Sequence, residues 1–97
     1  MGTEMASSRT RETVTVRYWA GARAAAGVDH DELEVDGPTT LADVVRRVVT
    51  AHPGRLESVL AVCSALVGDR PVGTREPADV VVRPGDTVEF LPPFAGG

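Results

Sequence analysis

Thr87-Val88-Glu89-Phe90-Leu91-Pro92-Pro93-Phe94-Ala95-Gly96-Gly97 divides into an alternating strand and a tail that no helix or sheet would use. Val88 and Phe90 fall on one face of the strand, because side chains in a strand repeat every second residue. Pro92 and Pro93 then fix φ and favour extended backbone. Gly96 and Gly97 carry no Cβ and lose more conformational freedom on ordering than any other residue. Residues 92–97 therefore read as a slender, unhindered thread tipped by the Gly97 carboxylate. At about 3.3–3.6 Å per residue it reaches roughly 20 Å, enough to enter a partner's narrow active site. The simpler alternative is a frayed terminus that carries no function.

Upstream, Thr13-Val14-Thr15-Val16-Arg17-Tyr18-Trp19 alternates in the same way, with Val14, Val16 and Tyr18 on one face. Ala20 to Gly27 is small and Ala-rich, either a helical turn or a wide loop ended by Gly27. His30 to Asp36 alternates again through Leu33 and Val35. Leu41, Val44, Val45, Val48 and Val49 recur at the spacing of an amphipathic helix. Thr39 or Thr40 caps it, Asp43 suits its positive end, and Pro53-Gly54 stops it. Val is a mediocre helix former, so burial must supply what propensity does not.

Leu56 to Leu60 suits a short helical segment, and Ala61 to Val67 reads as a third strand. Gly68 to Pro71 turns the chain into a short extended piece near Val72. Val80-Val81-Val82 is either a further short strand or an irregular apolar loop. Arg83-Pro84-Gly85-Asp86 is a turn into the last strand. This order predicts a two-layer α+β domain, a mixed sheet of four to five strands under one main helix. The first and last strands would be parallel neighbours at its centre.

Ninety-seven residues suffice for one domain with one modest core. The net charge of −4 argues against a nucleic-acid partner, since phosphate binding needs a basic surface. All ten basic residues are Arg, so an activated acyl end would meet no Lys amine on its own chain. No apolar run approaches the ~20 residues of a membrane span, and residues 1–8 lack a secretory signal. The cytoplasm is the expected compartment. Cys63, the only cysteine, suits core packing. His30 and His52 read as isolated, exposed polar residues, and no His/Cys cluster suggests a metal site. No GxxxxGK[ST] loop offers a place for ATP. No residue pair suggests acid–base or nucleophilic work, so the chain is expected to be a co-substrate and not an enzyme.

The Val-x-Val-x-Tyr-Trp-Ala opening, the order of elements and the Pro-Gly-Asp-Thr-Val-Glu-Phe-Leu-Pro-Pro-Phe-Ala-Gly-Gly ending resemble the small sulfur-carrier proteins. These are ubiquitin-like β-grasp domains, and they include the small subunit of molybdopterin synthase and the thiamine-pathway sulfur carrier. The ending and Arg23-Ala-Ala-Ala-Gly27 look closest to the former. The resemblance covers about residues 13–97. It implies a β-grasp domain over 13–91 and an extended tail over 92–97, while residues 1–12, polar and without periodicity, read as a disordered tail.

It implies too that a ubiquitin-activating-like adenylyltransferase uses ATP and magnesium to adenylate Gly97. Sulfur then replaces AMP, leaving a thiocarboxylate for the large synthase subunit, and the carrier itself binds no cofactor. The resemblance places Trp19 at an aromatic interface position, Arg23 at a basic one and Leu91 at the apolar position before the tail. Tyr18 and Trp19, being adjacent in a strand, must face opposite sides. The same chemistry would also suit a carrier for cysteine, thiamine or a sulfur-containing secondary metabolite. Behind these stand a ubiquitin-like protein modifier and an interaction module with an inert tail.

Overall fold

The computed structural model describes residues 12–93; the expectations for residues 1–11 and 94–97 lie outside the described residues. Strand β1, Glu12–Tyr18, alternates as its sequence predicts: Val14, Val16 and Tyr18 are buried and the residues between them are not. It lies parallel to β7, Thr87–Leu91, with Tyr18 opposite Phe90. On its other side it pairs antiparallel with β2, His30–Val35. β4, Ser64–Val67, runs antiparallel to β7, and β5, Arg70–Pro71, closes that edge. The main sheet has the order β2-β1-β7-β4-β5, so the first and last strands occupy its middle.

Three helices join the strands: α1, Ala20–Ala26; α2, Leu41–Ala51; and α3, Leu56–Leu60. α2 buries Leu41, Val44 and Val48 in one core with Val14, Val16, Tyr18, Val88 and Phe90. Its first turn is tied twice. The Asp43 N–H donates to Thr40 Oγ1 at 3.1 Å, and Thr39 Oγ1 donates to Asp43 Oδ2 at 2.9 Å. Asp43 also pairs with Arg46. That hydrogen bond, above all, holds the Asp43 carboxyl below its ordinary range. The helix stops where Pro53 demands it, because a residue before proline is pushed out of the helical region. His52 has φ −127° and ψ 71°.

α1 turns the helical-turn-or-loop alternative into a helix. Gly27, at φ 82°, ends it in the left-handed conformation, and its N–H donates to the Arg23 carbonyl at 2.9 Å. The third strand is shorter than its apolar run suggests. The Ala61, Val62 and Cys63 N–H groups donate back to Glu57, Val59 and Leu60, extending the turn after α3, and β4 begins only at Ser64. Cys63 is half-buried against the core, and burial pushes its thiol up.

The Val80–Val82 alternative resolves as a strand, β6 (Val81–Val82), but not in the main sheet. It pairs with β3, Thr39–Thr40, as a separate two-stranded ribbon that leads into α2. The Arg83–Asp86 turn follows, with Gly85 at φ 91° and the Asp86 N–H donating to the Arg83 carbonyl at 2.9 Å. Among the described residues, no helix is long and apolar enough to cross a membrane.

Candidate functional site

The parallel pairing of β1 and β7 brings both strands to the same end of the sheet, and the tail leaves there. The Trp19 N–H donates to the Phe90 carbonyl at 3.1 Å, so Trp19 sits beside the point where β7 runs into Pro92 and Pro93. Both prolines are exposed. Phe94, Ala95, Gly96 and Gly97 lie outside the described residues.

One face of the sheet carries the helices; the other is open. Register places Thr13, Thr15 and Arg17 of β1, Thr87, Glu89 and Leu91 of β7, and Ser64 and Leu66 of β4 on the open face. Trp19 joins them. The Arg17 guanidinium lies over its indole, 5.3 Å from the ring centroid, an attraction between a cation and the ring's negative face. Trp19 keeps 40% of its surface exposed while its neighbour Tyr18 keeps 1%. Leu91 is half-buried at the same level. Trp19 and Leu91 thus follow the paired Tyr18 and Phe90 at the same end of the sheet, beside Pro92.

Arg23 sits on the helix that Trp19 leads into, its N–H donating to the Trp19 carbonyl at 3.4 Å. It is exposed on α1 and lines a shallow hollow with Ala20, Ala24, Gly27, Val28 and Asp29. A hydrogen bond from His30 is the main cause that lowers the Asp29 carboxyl, and the Arg23 and Arg17 charges add to it. Trp19, Leu91 and Arg23 thus all lie at or next to the end of the sheet from which Pro92 departs.

Two arrangements escaped the reading of the sequence. The Arg17–Trp19 stack was signalled by spacing alone, since residues two apart in a strand share a face. The other is a polar cluster at the edge of the core, where Tyr18 Oη donates to Asp31 Oδ2 at 2.8 Å. His52 Nε2 reaches the same oxygen at 2.6 Å, and the His52 ring meets Tyr18 edge-on with centroids 6.2 Å apart. His52 is therefore neither isolated nor exposed; its side chain is 19% accessible. Burial first, and then the Asp31 carboxylate, pushes the Tyr18 hydroxyl far above its ordinary value. Nothing local links residues 18, 31 and 52, so only the assembled fold could reveal them. His30, by contrast, is exposed as expected. Among the described residues, no group of three or more His, Cys, Asp or Glu side chains could hold a metal ion.

Comparison with known proteins gives this geometry a context. A model of the ThiS family matches residues 16–97. The molybdopterin synthase sulfur carrier subunit of Aspergillus niger is 30% identical over 88 residues, covering 91% of this chain and 98% of that protein. The small archaeal modifier protein 1 of Methanosarcina acetivorans superposes with a TM-score of 0.69 at 19% identity, covering 91% of this chain and 99% of that one. A protein–protein complex of subunits 1 and 2 of the molybdopterin-converting factor from Helicobacter pylori supplies a third likeness. Its matching chain has a TM-score of 0.60 at 20% identity, with 88% of this chain and 99% of that one covered. At such identities the two structures speak for the fold alone. Strand order and family match converge: the chain belongs to the ThiS family, whose small sulfur carriers share this ubiquitin-like β-grasp fold.

Proposed function

We propose that this protein is a sulfur carrier, the small subunit of a molybdopterin synthase, and that the carboxylate of Gly97 is its working group. The observation that carries this reading is the placement of the tail. β7, at the centre of the sheet, runs out through exposed Pro92 and Pro93 beside an exposed Trp19. A terminal carboxylate with a pKa of about 3.3–3.7 is an anion at neutral pH and a poor electrophile. An adenylyltransferase, using ATP and magnesium, would join it to the α-phosphate and release pyrophosphate. A sulfur nucleophile would then attack the acyl carbon and expel AMP. The resulting thiocarboxylate is a soft nucleophile suited to an electrophilic carbon in the large subunit's pocket. The chain itself would bind no cofactor and supply no catalytic group, and it would work in the cytoplasm. Trp19 and Leu91 would anchor the partner, with Arg23 contributing a charge at the border; aromatic and Arg side chains are favoured anchors.

The test is intact-mass measurement after incubation with ATP, magnesium, a cognate activating enzyme and sulfide. Exchange of one oxygen for sulfur at Gly97 is expected, and a chain lacking Gly96 and Gly97 should stay folded and gain nothing. An unchanged mass in the full chain overturns the reading. A modifier in the manner of ubiquitin would instead leave Gly97 in isopeptide linkage to lysines of other proteins, which the same mass spectrometry on lysate detects. Carriers for other pathways load identically and differ only in which enzyme accepts the sulfur.

A further inference from the structure

The two edges of the main sheet are finished differently. β5 is two residues long and carries Pro71, which has no N–H to offer a further strand. β2, at the opposite edge, is six residues long and pairs with β1 along its whole length without a bulge. Register decides where its main-chain groups point. The Tyr18 N–H donates to the Asp29 carbonyl at 3.0 Å, and in an antiparallel ladder such bonded pairs alternate with unbonded ones. Asp31, Leu33 and Val35 therefore bond β1, whereas His30, Glu32 and Glu34 turn their N–H and C=O groups away from the sheet. Arg47 on α2 agrees with this direction, its Nη2 donating to the outward Glu34 carbonyl at 3.0 Å. Among the described residues, nothing bonds the main chain of His30 or Glu32 from that side.

The side chains along this edge sort by the same period. Leu33 and Val35 are half-buried on the helix side, where they pack against the core. His30, Glu32 and Glu34 are exposed on the open face. From Asp29 to Asp36 the chain carries Asp29, Asp31, Glu32, Glu34 and Asp36, and no Lys or Arg. Asp31 is held by Tyr18 and His52, and Asp29 meets His30. Glu32 has no ion-pair partner among the described residues. A second copy of this chain makes a poor occupant of the edge, because acids set directly opposite one another on two strands repel.

We propose that the outer edge of β2 accepts an extended segment of a partner protein in which Lys or Arg alternates with apolar side chains. Its main chain would bond the outward groups of His30 and Glu32 and add a strand to the sheet. Its basic side chains would lie beside Glu32 and Glu34 on the open face, and its apolar ones beside Leu33 and Val35 on the other. Arg47 already occupies the Glu34 carbonyl, so the added strand pairs from Glu32 toward His30. The inference goes beyond sulfur carriage, no step of which uses β2. It gives the chain a second contact surface, separated by β1 from the strand that bears the tail.

The experiment uses the full chain with two short peptides, one alternating lysine with valine and the other glutamate with valine. The lysine peptide should bind and slow hydrogen exchange at the His30 and Glu32 amides. Those of Asp31 and Leu33, already bonded to β1, should not change. Glu32→Pro removes an outward N–H and spares the β1 ladder, so it should weaken binding about fivefold or more with an unchanged melting curve. Should it melt early, Glu32→Arg keeps the main chain and should reverse the preference between the two peptides. Equal binding of both peptides, protection at amides elsewhere, or no binding at all overturns the proposal. In the last case the acids serve only to blunt an exposed edge. None of these results touches the sulfur-carrier reading, which the mass of Gly97 tests separately.

Discussion

Tyr18 and Trp19 are consecutive, yet the first is 1% exposed and the second 40%; Phe90 is 3% exposed while Leu91 is half-buried. The strand period sends each pair to opposite faces of one sheet. On the covered face, Phe90 and Tyr18 stack with centroids 6.4 Å apart beneath the helices. On the open face, Trp19 carries Arg17 over its ring. One face buries its aromatic surface in the core and the other leaves it exposed. Under the proposed function both are needed: a rigid body to hold the strand that carries the tail, and a surface that lets a partner find it.

The sharpest way to break this contrast is at Phe90. Phe90→Ala should cost about 3–5 kcal/mol of stability, through lost burial and the cavity left behind, read from the urea midpoint. Trp19→Ala should give the converse, a loss of about 2 kcal/mol in partner affinity, roughly thirtyfold, with the unfolding midpoint moving far less. Equal stability losses at both sites would dissolve the distinction between the faces.

Tyr18→Phe probes the covered face more gently. It keeps the ring and removes one hydrogen bond, while Asp31 retains His52, so about 1 kcal/mol is expected. The smallest effect belongs to the α2 cap. Asp43, with 30% of its side chain accessible, should lose under about 1 kcal/mol on Asp43→Asn at neutral pH. Its carboxyl is held low in the folded state, so its contribution is full above the ordinary Asp value near 3.9 and is lost as pH falls through the lowered one. Unfolding curves of the two proteins should therefore converge in acid. A gap that persists there would assign the effect to helix geometry and not to charge.

Much of the fold was legible because short-range period alone sorts residues between faces. The alternation of Val14, Val16 and Tyr18 and the stripe of Leu41, Val44 and Val48 needed no partner to be recognised. Ala61 to Val67 misled for the same reason: an apolar run has no period to separate strand from turn. Three N–H groups held by α3 decided it. The ribbon of β3 with β6 was equally hidden, since two-residue strands carry no pattern.

From the sequence alone came the α+β order of elements and the opposed placing of Tyr18 and Trp19, both set by periods within a few residues. Only the tertiary structure decided what meets at a distance. It put Asp31 and His52 on Tyr18 and laid Arg17 over Trp19. Such meetings depend on how strands and helices pack, and packing is fixed by the whole core at once.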